Sequence, residues 1–229
     1  MSYPKNIIRL SPTSGLNLYR DCPRCFWLAY NEKVHRPRGI FPSLPGGIDL
    51  VVKDYFDKYR GFLPPELEGK IEGQLMPDTA LMNRWRNWRT GLVYKDDNLN
   101  AELFGALDDC LVYDGKYVPL DYKTRASAPK EGDSEKYYQT QLDSYSLLLK
   151  ASGYEPADFA YLIYYFPVQV LKKNMIKFEI KPVKVATDTE RVKELFENAV
   201  NFLKQPLPAH HSGSACEYCI WKADMMEFD

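Results

Sequence analysis

The chain has 229 residues, 45% of them hydrophobic and 27% charged, with a formal net charge of −1. That length can bury a sizeable core, the composition excludes a disordered or fibrous chain, and the charge balance excludes attraction to nucleic acid or an anionic membrane by overall field alone. No apolar run reaches the length of a membrane span and the first residues lack the apolar core of a secretion signal, so the expected location is cytoplasmic, with no membrane partner. In that setting the five cysteines are expected as thiols or metal ligands rather than disulfides.

In chain order, "LSPTSGLNLYRDCPRCFWLAYNEK" reads as one helix capped by Ser14, with Leu18, Phe26, Leu28 and Tyr30 supplying apolar surface. A Pro/Gly-rich connection follows, carrying His35, Arg36 and Arg38 as candidate phosphate contacts. "GIDLVVKDYFDKYRG" is a second helix, with Ile48, Val51, Val52, Tyr55, Phe56 and Tyr59 at helical spacing. Residues 62–79 read as a loop. "TALMNRWRNWRT" reads as a helix that interleaves Arg84, Arg86 and Arg89 with Trp85 and Trp88, the mixture of charge and stacking planes that single strands use; a core-facing Trp pair with solvated arginines is the alternative.

From Gly91 to Thr124 the pattern turns to period two, giving three strands, the last two joined at Asp114-Gly115, a two-residue hairpin signal. "SEKYYQTQLDSYSLLLKASG" is a helix capped by Ser134 or Asp133 and stopped at Gly153. Two strands follow, with Lys172 and Lys173 at their turn, then a capped helix and a short cysteine-bearing tail. Strands mixed with helices in this order predict an α/β layered fold. The expected organisation is one domain over 1–229: a helical part to about 90, a core over about 91–186, and a closing helix and tail from about 187.

The hairpin "FGALDDCLVYDGKYVPLDYKTR" carries acids where strands disfavour them. Asp121 and Lys123 share one face, Tyr122 points away, and a regular hairpin brings Asp108 near Asp121, while Asp109 faces the other side. Two carboxylates beside a lysine can hold Mg²⁺ or Mn²⁺ with positions left open and support phosphodiester hydrolysis. Taken alone, Asp-x-Lys is more often an exposed ion pair of little consequence.

Gly105-Ala106-Leu107-Asp108, then Asp121-Tyr122-Lys123, then Gln141 with Tyr145 one helical turn on, stand in order at close spacing. Together they resemble the RecB-like branch of the PD-(D/E)XK nuclease superfamily, over roughly Ser11 to Tyr145 and again at the C-terminal cysteines. The resemblance implies a restriction-endonuclease-like core, a central mixed sheet flanked by helices. It implies that Asp108 and Asp121 ligate Mg²⁺ or Mn²⁺ with the carbonyl of Tyr122, that Lys123 is the catalytic lysine, and that Gln141 and Tyr145 orient the site. Asp49 stands where the family commonly carries a histidine ligand, and is either a further ligand or a first-turn acid favoured by the helix dipole. The implied substrate is DNA, single-stranded or with free ends. The implied protein partners belong to repair, recombination or CRISPR-adaptation complexes.

"DCPRCFWL" and "ACEYCIW" are C-x2-C pairs far apart in the chain. Their thiolates, Cys22, Cys25, Cys216 and Cys219, suit zinc or an iron–sulfur cluster, and a metal joining them clips the tail to the first helix. CRISPR-adaptation and AddB-type nucleases hold a [4Fe–4S] cluster this way, with one cysteine before and three after; here the division is two and two, and Zn²⁺ is the alternative. Cys110, mid-strand, reads as a small buried hydrophobe. The functional expectation is a metal-dependent deoxyribonuclease. A nuclease-like binding module without catalysis and a metal-clipped interaction protein are the competing classes.

Overall fold

The computed structural model describes residues 7–37, 39, 43–209 and 216–225, with side chains to 221, so Arg38 lies outside the described residues. Strand β1 (Ile8–Leu10) leads through a π-helical turn (Pro12–Asn17) into α1 (Leu18–Asp21) and α2 (Pro23–Asn31). The helix expected to run unbroken here is divided at Cys22. Its backbone is extended (φ −154°, ψ 101°) and its side chain caps α2, because the residue before a proline is steered out of the helical region. Ser11, not Ser14, takes the capping position of the first turn; the two hydroxyls bond to one another at 2.6 Å.

α3 (Ser43–Phe56) follows, then a 3₁₀ turn (Asp57–Tyr59), β2 (Gln74–Leu75) and α4 (Thr79–Arg86). Of the apolar residues placed on α3, Val52 and Phe56 are buried, whereas Val51 is exposed. β2 falls in the stretch read as loop. The expected three strands of 91–124 are four: β3 (Leu92–Asp96), β4 (Ala101–Gly105), β5 (Asp109–Tyr113) and β6 (Lys116–Thr124). α5 (Asp133–Ala151), β7 (Phe159–Val170), β8 (Ile176–Ala186), α6 (Thr189–Leu203) and α7 (Glu217–Met225) complete the order. α5 begins after Gly132, which sits at φ 78°; Asp133 and Ser134 are its first residues rather than its caps.

The strands form a three-stranded sheet ordered β1-β4-β3 and a five-stranded sheet ordered β2-β5-β6-β7-β8. β6 and β7 are parallel and joined by α5; the other pairings of the larger sheet are antiparallel. Both faces of β7 are covered over residues 159–166, which explains the near-continuous apolar run there. Tyr161, Ile163 and Tyr165 pack with Val52 and Phe56 of α3, while Leu162 and Tyr164 pack with Leu142, Tyr145 and Leu149 of α5. On β6 the same alternation turns Leu120 and Tyr122 towards α3, which sets Asp121 and Lys123 on the opposite face. Gly105 lets α5 approach β4: a Cβ there would lie 2.8 Å from Leu148 Cδ1.

Candidate active site and cysteine centre

The β5–β6 register pairs Asp109 with Leu120, and extending it by one residue sets Asp108, just before β5, opposite Asp121. Asp121 is fully buried. Its Oδ1 accepts from Gln141 Nε2 at 2.9 Å. Its Oδ2 lies 2.5 Å from Lys123 Nζ but accepts no hydrogen bond of proper alignment. Gln141 ties the group together: its Oε1 accepts from Lys123 Nζ at 3.1 Å and its Nε2 lies 2.6 Å from the Tyr145 hydroxyl. Both residues stand one turn apart on α5, so one helix face covers the acid–lysine pair.

Burial raises the Asp121 carboxyl; Lys123 lowers it and Asp108 raises it again, leaving it at about 7. Burial also works against the charge of Lys123, but Asp121 and Asp108 outweigh it and hold the ammonium above its ordinary value. Tyr145 is pushed well up by burial and by the two carboxylates, so it serves as a neutral hydroxyl. A buried carboxyl of this kind, with an oxygen lacking an aligned donor, is the chemistry that a cation satisfies. Two carboxylates and a neighbouring carbonyl fit a hard divalent ion.

Asp49 and Asp108 are joined through a residue that the sequence did not single out. Lys53 Nζ lies 2.7 Å from Asp49 Oδ2 and 2.8 Å from Asp108 Oδ1. Burial opposes its charge, and Asp108 and then Asp49 more than restore it. The signal for it was the Asp49-x-x-x-Lys53 spacing, which on a helix looks like an ordinary surface pair. Asp49, Val52, Asp108, Tyr122, Lys123 and Thr124 line a cleft of about 350 Å³. Among the described residues, the cysteines are the only set of three or more potential ligands whose ligand atoms all lie within 4.8 Å of one another, so Asp49, Asp108 and Asp121 form a looser arrangement. Tyr122 also lines the cleft, and its hydroxyl donates to Asp109 at 2.6 Å on the far side of the strand from Asp121.

That far side holds a buried ionic network. Asp109 is fully buried. It accepts from Arg60 at 2.6 and 2.8 Å and from Arg86 at 2.8 Å. Asp57 bridges the same two arginines. Arg86 Nε also donates to the Asp108 carbonyl at 2.7 Å. Arg86 is therefore engaged inside the protein rather than offered to nucleic acid, and Trp85 beside it is buried. α4 ends at Arg86, earlier than expected, leaving Arg84 exposed and Arg89 over the exposed Trp88 ring at 4.8 Å. Arg36 is likewise engaged, with Asp21 and with Cys216 Sγ at 3.1 Å.

The four cysteines meet, all buried. Cys22–Cys219, Cys25–Cys216 and Cys25–Cys219 Sγ atoms are 3.7, 3.6 and 3.7 Å apart. Thiolates bound to one zinc at about 2.3 Å stand about 3.8 Å apart. A cubane cluster keeps its ligands further apart, because its iron–sulfide core lies between them. The donor set suits either group, and these three distances are of the size that a single tetrahedral ion imposes. Against the effect of burial, the Cys219 amide and the neighbouring thiols hold Cys216 down at about 7. Cys25 is raised, chiefly by burial. Cys110 is apart from this set, fully buried, with its thiol pushed well up by burial.

No helix among the described residues is long and apolar enough to cross a membrane. The family model of the PD-(D/E)XK nuclease superfamily matches residues 48–223, more than half of the chain. That span holds the acid–lysine set, Gln141, Tyr145 and the second cysteine pair. No curated protein matches the chain.

Proposed function

Since the chain belongs to the PD-(D/E)XK nuclease superfamily, we propose that it is a divalent-metal-dependent deoxyribonuclease of the RecB-like kind, acting on single strands or DNA ends. The observation that carries this reading is the Asp121–Lys123–Gln141–Tyr145 set, with Asp108 opposite Asp121 in register. Asp108, Asp121 and the Tyr122 carbonyl hold Mg²⁺ or Mn²⁺, with Asp49 as a further acid at the rim. The ion supplies Lewis acidity and neutralises charge on a phosphoryl oxygen.

The chain's own side chains do the rest. Lys123, kept charged beside Asp121, orients the attacking water and stabilises the charge that gathers on the phosphorane oxygens. Gln141 fixes Asp121 and Lys123 in one geometry, and Tyr145 fixes Gln141. A binding module without catalysis has no use for a buried carboxylate and a lysine held in this arrangement. At the cysteines, three sulfur–sulfur distances support a single tetrahedral ion, with an iron–sulfur cluster the alternative; elemental analysis and the visible absorption of protein purified without air distinguish them, since a cluster is coloured and zinc is not.

The test is cleavage of labelled single-stranded DNA, duplex DNA and RNA with Mg²⁺ or Mn²⁺. Lys123→Ala and Asp121→Asn are each expected to lose at least about 10²-fold in rate, with single-stranded or end-bearing DNA the preferred substrate. Absence of cleavage on every substrate, or cleavage undiminished in both variants, overturns the reading.

A further inference from the structure

The pairing of β6 with β7 stops at Thr124 opposite Tyr165, next to Lys123. β7 and β8 do not stop there. They go on pairing with each other to Val170 opposite Ile176, through a register shift between Pro167 and Gln169. Because β6 and β7 are parallel, this extension runs on past the end of β6 that carries Lys123. Residues 167–177 are all exposed, so among the described residues the ribbon has neither helix nor sheet against it there. The turn at its tip, Lys172–Asn174, places Lys173 and Asn174 at φ 59° and 58°.

A two-stranded ribbon has marginal stability by itself, and soluble chains do not cluster exposed apolar side chains without a use for them. This tip exposes Val170 (73%), Leu171 (41%), Met175 (55%) and Ile176 (55%). Around them stand Lys172, Lys173 and Lys177, with Glu179 the nearest acid in the ribbon. The chain as a whole carries a net charge of −1, so this local excess of lysine is a departure from its average and complements a polyanion. Leucine, isoleucine and methionine are the side chains that DNA-bending proteins insert between base steps, while lysines hold the adjoining phosphates.

We infer that the β7–β8 ribbon is a DNA wedge: its lysines grip the phosphates of a duplex end, and Leu171 and Met175, paired across the tip and so on one face, lie against the terminal base pair and direct one strand towards Lys123. The wedge rests on the nuclease reading and adds a source for its end preference, since the ribbon extends beyond the end of β6 that carries Lys123.

The experiment uses the full chain carrying Lys123→Ala, so that the DNA stays intact, with a single strand and a duplex bearing 2-aminopurine at its terminal pair. Lys172→Gln/Lys173→Gln/Lys177→Gln is expected to weaken binding to both and to flatten the dependence of log K on log salt by about 2. Leu171→Ser/Met175→Ser keeps its single-strand affinity but loses the fluorescence rise that reports unstacking at the duplex end. Circular dichroism checks that both variants fold. Binding and unstacking unchanged in both variants overturn the wedge and leave a protein as the occupant of the tip. The two readings fail separately. A wild-type chain that neither binds nor cleaves DNA defeats the nuclease, whereas wild-type cleavage with a ribbon variant that unstacks normally defeats the wedge alone.

Discussion

Lys53 occupies the space between Asp49 and Asp108 with an ammonium, and a divalent ion bound to Asp108 has to share that space with a like charge. At contact distances such repulsion amounts to roughly 1 kcal/mol in water and several times that in a partly buried cleft. Lys53→Met is therefore expected to tighten Mn²⁺ binding by at least about tenfold in titration calorimetry; equal or weaker affinity would show that Lys53 does not compete for these carboxylates. The acid–lysine pair was legible in the sequence because period two on a strand dictates which side chains share a face. Lys53 was not, since a helical i,i+4 ion pair has the same spacing whether it faces solvent or a site. Arg86 was read as a surface cation for a similar reason: the pattern that gives a helix its outer face does not reveal a buried carboxylate on another element.

At the scale of elements, the 3₁₀ turn after α3, the end of α4 and the start of β5 are joined by Asp57, Arg60, Arg86 and Asp109. Burial disfavours the Asp57 charge, but Arg86 and Arg60 outweigh it and hold its carboxyl below the usual range. An acid lowered in the folded state contributes stability that is present above its unfolded value and is lost as pH falls through the folded one. Asp57→Asn is therefore expected to cost on the order of 1–3 kcal/mol at pH 7, and its deficit relative to wild type narrows below about pH 4. Urea unfolding from pH 7 to pH 3 measures this, and a deficit independent of pH contradicts it. The same scale explains which boundaries the sequence disclosed. Asp114-Gly115, Gly153 and the long helices were legible from turn chemistry and periodicity. The break at residues 106–108, which sends β4 and β5 to different sheets, falls beside the paired acids Asp108 and Asp109, which the sequence reads as part of a strand running on from Phe104. β1 and β2 are too short to show a period at all.

At the scale of the molecule, one centre ties α2 near the beginning of the chain to α7 near the last described residues. Closing so long a loop removes much of the freedom of the unfolded chain. Removal of the bound ion by a chelator, or Cys216→Ser, is expected to lower the melting temperature by about 10 °C and to expose 217–225 to protease before 92–203. Equal protection of both segments after chelation would exclude the clip. Spacing within each C-x2-C pair made the four thiolates legible; their convergence is a property of the packing of α2 against α6, where Asn31 Nδ2 donates to the Leu203 carbonyl at 2.9 Å and Trp27 Nε1 to that of Gln205 at 2.8 Å.

Cys22 and Cys25 are made early in synthesis, but Cys216 and Cys219 leave the ribosome only after every strand of both sheets. The meeting of the four cysteines is therefore a late event in the life of the chain. A ribosome that stalls between Ala186 and Cys216 releases a polypeptide with all the residues of the acid–lysine set and only two of the four clustered cysteines.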